Sequence, residues 1–366
     1  MALTNFAALT SEQKMVWSRD VWEDARDQMF FSKFTGSSAM SVVQRITELT
    51  KTEKGELVIM HLLADLVEDG IVGDDEREGY EEEMKSYNDT ITIDLISHGV
   101  RQKGKLAEQK TVISFRENAR DRLSYWLSNR MDQLMFQTLA GWSYTLKPDG
   151  SARSSGAFQS LAFAADVSAA TTNRHYNVVG SGAALAAGNT ATITTAALLT
   201  YDDIVNINVE AKTKYMKPLK SGGKEYYVAF VRPEALAQLK KDSDFQNALV
   251  NAQVRGDSNP IFTGANVTVD GMILHEHRLV PNTKGSGATQ WGAGADVDGA
   301  VMLVCGAQAL GMADLGQPEW AEKWFNYDSS PGVNVDKMFG LLKPKFYNTN
   351  TSSIEDFGVM RINHAI

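Results

Sequence analysis

The chain has 366 residues, 43% hydrophobic and 22% charged, enough for two or more lobes with substantial cores and too apolar for a disordered protein. A formal charge of −9 and a pI near 5.3 argue against a dedicated nucleic-acid reader, whose surface is net basic, while leaving room for a local basic patch. The single cysteine, Cys305, excludes an intramolecular disulfide framework and reads as a small buried hydrophobe in the apolar run 300–305. The first residues lack a basic region followed by an apolar one, and no run approaches the ~20 apolar residues of a membrane span, so use in cytoplasm is expected.

Residues 10–34 show a helical spacing of Met15, Val16, Trp22, Ala25, Met29 and Phe30 after a weak capping pair at Thr10 and Gln13. With acids and aromatics but no thick apolar band, the segment reads as an arm lying on a surface, ended by Gly36-Ser-Ser38. A strand-like run from Leu57 to Leu63 then enters an acidic tip, and an alternating strand over Thr90 to Ser97 returns. Between Glu68 and Glu83 stand nine carboxylates and one arginine, a net −8, and among them are Asp74, Asp75, Glu76, Glu78, Glu81, Glu82 and Glu83. From Arg101 to Arg130 the sign reverses to a net +5, carried by Arg101, Lys103, Lys105, Lys110, Arg116, Arg120, Arg122 and Arg130. An isolated two-stranded ribbon is marginal in water, and a self-repelling tip builds no core, so the ribbon is expected to lie on a basic helix of another copy of the chain. A charge run is otherwise a solvated loop; its place between two strand runs, with a compensating stretch behind it, favours the intermolecular role.

Apolar positions from Val112 to Leu139 recur at spacings of three and four with no Pro or Gly between them, which predicts one helix over 112–139. At ~1.5 Å per residue it is an axis of roughly 42 Å, its stripe under a sheet and its arginines mostly off the stripe. Residues 141–189 turn to Gly, Ser, Ala and Thr and read as a loop-dominated excursion. Thr200 to Asp203 opens a helix with a capping-box pattern, stopping before Pro218. The strand 226–231 leads into a helix through Leu239 with Pro233 in its first turn. Asp270-Gly271 is a hairpin turn, and further strands are predicted at 300–305, 333–342 and 356–363. Strands and helices in blocks, without alternating βαβ units, give an α+β fold class.

No phosphate loop, nucleophile elbow, His-Glu-x-x-His or paired Cys-x-x-Cys occurs. His275 and His277 share one face if they stand on a strand, and with His98 or a distant Asp they would form a metal site. The alternative is a partly satisfied pair at the end of a hairpin strand, and no third ligand stands at a familiar spacing. The glycine clusters at 180–182, 285–287 and 292–294 open no helix after a strand and read as turns. Trp320 and Trp324, four apart, make one aromatic face on a helix, suited to a core or a subunit interface. No residue is assigned to catalysis, cofactor or metal, and no cofactor is expected.

In the C-terminal third stand Cys305-Gly-Ala-Gln-Ala-Leu310, Glu319-Trp-Ala-Glu-Lys323, Phe325-Asn-Tyr-Asp328, Met338-Phe-Gly-Leu-Leu-Lys343 and Asp356-Phe-Gly-Val-Met360, preceded by the strand and turn from Val228 to Pro233. Following a long arm, an extended hairpin and a long helix, these fragments resemble the major capsid proteins of tailed phages with the Hong Kong 97 phage-type fold, and more closely the family typified by coliphage N-four. The resemblance covers most of the chain and rests on order rather than on any one fragment. It implies an N-terminal arm at 1–34, an extended E-loop with flanking peripheral strands at 35–115, and a spine helix and peripheral domain with the Gly/Ser/Ala-rich excursion at 112–199. An axial domain at 200–310 and C-terminal strands at 311–366 returning to the peripheral domain complete it.

The implied function is self-assembly into hexamers and pentamers of an icosahedral shell enclosing double-stranded DNA. The acidic tip would then be intersubunit, and the basic residues 101–130 intersubunit or DNA-facing, meeting phosphate without reading sequence. A separate scaffolding protein is implied because no long coiled coil precedes the arm. A portal and a decoration protein are further implied partners, with assembly in host cytoplasm and no membrane. The alternative within the same fold is an encapsulin-like compartment; the alternative from another class is a metal-dependent enzyme using His275 and His277.

Overall fold

The computed structural model describes residues 11–47, 55, 57–63, 66, 69–73, 78–79, 81–82, 86–104, 115–154, 156–180, 183–252, 267–287 and 290–366. Helix α1 (Ser11–Gln28) buries Val21, Trp22 and Ala25, one stripe at helical spacing, against α2 (Phe115–Ala140), so the arm lies on the long helix of its own chain. A 3-10 turn at Phe30–Phe34 follows, fixed from α2 by the buried Asp132. The carboxylate of Asp132 accepts from the N–H groups of Phe30 at 2.8 Å and Phe31 at 3.2 Å, while burial pushes its pKa up to about 7. Thr10 of the expected cap, and residues 112–114 of the expected long helix, fall outside the described residues.

Strands β1 (Thr35–Gly36), β2 (Val43–Ile46), β3 (Leu57–Leu63), β4 (Ser86–Thr92) and β5 (Asp94–Arg101) precede α2. Among its described residues the glycine-rich excursion holds only short 3-10 turns and the strands β6 (His175–Asn177) and β7 (Ala186–Ala187). Helix α3 (Tyr201–Thr213) starts where the N–H and hydroxyl of Thr200 donate to Asp203 at 2.9 and 2.6 Å. Strands β8 (Leu219–Ser221) and β9 (Lys224–Val231) lead to α4 (Pro233–Lys241) and α5 (Ser243–Ala252). Between β10 (Val267–Val269) and β11 (Met272–Glu276) the turn residues Asp270 and Gly271 take φ of 45° and 79°, as a type I′ hairpin requires. The chain ends in β12 (Gly299–Cys305), β13 (Leu310–Asp314), β14 (Glu319–Phe325), β15 (Ser330–Leu342), β16 (Lys345–Asn348), β17 (Ser353–Asp356) and β18 (Val359–Ala365).

Two mixed sheets hold all of these strands except the two-stranded pairs β3–β4 and β16–β17. The first has six, with the 13-residue β15 at its centre, pairing β5 along one edge and β14 and β13 along the other. The second runs β10-β11-β9-β12-β18-β6-β7, with β8 on β9. Every residue of β12 and β18 is buried; β12 reads as a near-continuous apolar run in which the Cys305 thiol, pushed up by burial, is inert, while β18 also buries the polar Arg361, Asn363 and His364. α2 packs against strands of both sheets and joins them into one core.

Three expectations need correction. The returning strand over 90–97 is two strands: the chain leaves β3 at Ile93 and joins β15, so β4 and β5 belong to different sheets. Trp320 and Trp324 stand on β14, not on a helix; a spacing of four suits the period of two as well as that of 3.6, and pairing with β15 decides between them. The ribbon does not depend on another copy for a core. Val58, Met60, Leu62 and Ile91 are buried against Ala313 and Phe357 of their own chain, and a side chain on Gly311 would collide with Met60.

Candidate functional site

Strand alternation gives the β3–β4 ribbon two unlike faces. Val58, Met60 and Leu62 point inward, while Leu57, Ile59 and Leu63 stay 53%, 44% and 55% exposed. The ribbon is tied down along β16, where Lys345 N–H donates to Asp89 at 2.8 Å and Tyr87 Oη donates to the Tyr347 carbonyl at 3.3 Å. Beyond it lies the acidic segment. Glu78 and Glu81 are exposed, Glu82 is half-buried, and Glu81 accepts from the Gly79 N–H at 2.8 Å. Asp74, Asp75, Glu76 and Glu83 lie outside the described residues.

The basic stretch is not one face. Arg101 sits 4.2 Å over the Phe325 ring and donates to Ser330 at 3.1 Å, and Lys103 is exposed past the end of β5. On α2, Arg116 pairs with the buried Glu322 at 3.0 Å, and Arg120 reaches Asp24 at 3.9 Å and Asp121 at 3.1 Å. Arg122 is exposed, Arg130 donates to Gln133 at 2.6 Å, and Lys105 lies outside the described residues. Trp320 also works inside the chain: its ring is 5.5 Å from Trp17, and its Nε1–H donates to Glu322 at 3.1 Å. Trp324 is half-buried on the same side of β14.

Charge instead converges in a cleft of about 860 Å³ walled by residues 95–98 of β5, residues 126–133 of α2 and two loops, 147–158 and 278–285. Arg130, Lys147, Arg153, Arg232, Arg278 and Lys284 line it, with Asp149 as the one acid in its wall. Among these cations only Arg232 is within ion-pair distance of a carboxylate among the described residues, Glu234 at 3.0 Å. Arg153 donates to the Tyr144 carbonyl at 2.9 Å and Gln137 at 3.0 Å; burial, and after it the charge of Arg130, pushes its pKa down to about 10. Arg278 donates to Tyr125 Oη at 2.6 Å, and Lys147, Arg278 and Lys284 are exposed. Only Arg130 of this group belongs to the basic stretch seen in the sequence. The others come from loops far apart along the chain, and no local pattern signals their meeting.

His275 and His277 do point to one side, but what they meet there is aromatic. Phe30 lies 4.4 Å from the His277 ring and 6.4 Å from His275, and Phe136 stacks on His277 at 5.0 Å. Burial holds both imidazoles below their usual range, His277 at about 4. His98 stacks on Trp126 at 4.5 Å, and among the described residues no third His, Cys, Asp or Glu joins the pair. Among the described residues no helix is long and apolar enough to cross a membrane.

The chain matches the family model described as phage capsid protein over residues 5–366. It is 44% identical over 363 residues to the major capsid protein of Pseudomonas phage KPP25, covering 98% of this chain and 96% of that protein. The capsid of Ralstonia phage GP4 superposes with a TM-score of 0.76 at 27% identity, over 92% of this chain and 91% of that one. The capsid subunit of cyanophage Pam1 shares the fold at a TM-score of 0.70 and 19% identity, over 100% and 96% of the two chains. An arm on a long helix, a projecting ribbon and two sheets sharing one core are thus the tailed-phage capsid fold of the Hong Kong 97 type, and the chain belongs to the phage capsid protein family, as a major capsid protein and structural subunit rather than an enzyme.

Proposed function

We propose that copies of this chain close into hexamers and pentamers of an icosahedral shell around double-stranded DNA, with the acidic tip of each copy touching a neighbour. The ribbon carries this reading: one face is held by its own chain, while the other leaves Leu57, Ile59 and Leu63 outward and leads into a segment of net charge −8. Residues 1–34 act as the arm, 35–115 as the E-loop with its flanks, 112–199 as the peripheral domain, 200–310 as the axial domain and 311–366 as the returning strands. Arg101, Lys103, Lys105 and Arg122 contact neighbours or DNA phosphates without reading sequence. A separate scaffolding protein, a portal and a decoration protein complete the head, which assembles in host cytoplasm.

Electron microscopy of the purified chain tests this. Closed shells or capsomers are expected, and a small discrete oligomer would overturn it. Nucleic acid inside particles from infected cells separates a genome shell from a cargo compartment. Reversing Glu81, Glu82 and Glu83 to Lys should impair assembly with the monomer still folded. Each exposed pair contributes about 0–1 kcal/mol, so the cluster as a whole carries the effect and salt weakens it.

A further inference from the structure

We propose that the cleft between α2 and the 147–158 and 278–285 loops receives the carboxylate-rich segment 68–83 of a second copy of this chain. The proposal rests on the reading of the chain as a shell subunit and names the surface that the tip meets. Five cations there, Arg130, Lys147, Arg153, Arg278 and Lys284, have no carboxylate at ion-pair distance among the described residues, and the cleft wall supplies one acid, Asp149. The charge of Arg130 disfavours that of Arg153, and the side-chain bonds of both go to amide oxygens and a carbonyl rather than to an anion. Such a cluster is stabilised when a polyanion enters, and the opposite charge is present in the same chain at one segment per cleft.

The chain's own segment is carried away from its own cleft. From Ile93 the ribbon runs along residues 340–347, past the end of β15, while β5 runs back along residues 339–332 and forms the cleft wall at 95–98. Ser86 and Leu95 are nine positions apart, about 30 Å of extended chain in the direction opposite to the cleft. A neighbouring copy, with its ribbon lying across the boundary, has no such obstacle. At about 860 Å³ the cleft is large enough for several carboxylate side chains on extended backbone.

The test uses the full chain in assembled particles. Glu78→Cys combined with Lys284→Cys, oxidised after assembly, should give a ladder of chain multimers on a non-reducing gel, and neither single variant should. Cys305 is fully buried and stays silent. Separately, Lys147→Glu with Lys284→Glu should lower shell yield about tenfold near 0.15 M salt, and adding Glu78→Lys with Glu81→Lys to that chain should restore most of it. Shells that form normally without a ladder, or a cleft reversal that leaves yield unchanged while tip reversal abolishes it, would place the tip elsewhere and overturn the inference with the shell reading intact. A reversal that spares yield but releases packaged DNA would assign the cleft to phosphate and overturn it too. A wild-type chain that forms no shells removes both.

Discussion

The long helix α2 and the β3–β4 ribbon both carry organised charge, and they place it differently. On α2, Arg116 and Arg120 are taken up by Glu322 and Asp24 of the same chain, and the C-terminal half of the helix is buried on nearly all sides. The ribbon buries one row of side chains, keeps the other row outward and bears its carboxylates beyond the last paired residue. Fold stability resides in the first region, and association is what we propose for the second. A basic helix is therefore not by itself a receptor for an acidic arm, because its cations can be engaged at home while free cations gather in a cleft that no single segment announces.

The largest effect belongs to the helix. Leu127→Pro removes a backbone hydrogen bond and clashes in the interior of α2, at a cost of about 3 kcal/mol or more, on a residue with 0% exposure. Loss of soluble folded protein, read by circular dichroism, is expected; native spectra would break the contrast. The ribbon can be divided face by face. Met60→Ala opens a void under Gly311 and Ile91 and should destabilise the ribbon by about 2–5 kcal/mol, measured by hydrogen exchange on β3 and β4. Leu57→Ser, on the outward row, should change monomer stability by less than about 0.5 kcal/mol yet lower shell yield.

Two buried groups give pH slopes of opposite sign. His364 is fully buried, and burial pushes its pKa from 6.5 down to about 4. Its folded value is depressed, so the contribution is present above about pH 6.5 and is lost progressively towards about pH 4, on the order of 3 kcal/mol in all. Thermal unfolding over that window should flatten in His364→Phe. Asp132, raised from 3.8 to about 7, has the reverse linkage: its contribution is present below about pH 4 and falls away as pH rises through about 7. Asp132→Asn should remove that slope between about pH 4 and 7, seen as arm release in proteolysis of α1.

Much of the fold was legible because its signals are local. The capping box at Thr200, the Asp270-Gly271 turn, Pro233 in the first turn of α4 and the three- and four-residue spacing of α2 each depend on residues a few positions apart, and each stands where the pattern predicts. The acidic segment was equally plain in the sequence, since charge adds along the chain whatever the fold.

What local pattern could not supply was set by pairing across long separations. Ile93 splits one alternating run into two because β15, over two hundred residues away, offers β5 a better edge than β3 does. Trp320 takes a strand because β15 lies beside it, and His275 and His277 meet phenylalanines because Phe30 and Phe136 arrive from α1's turn and from α2. The cleft gathers Arg130, Lys147, Arg153, Arg232, Arg278 and Lys284 from four separate stretches. The sequence alone therefore determined the locally patterned elements, the acidic segment and the family order. Tertiary structure alone decided which charges are neutralised within the chain and which stay available, because electrostatic pairing depends on distance in space and burial, and neither is encoded by position along the chain.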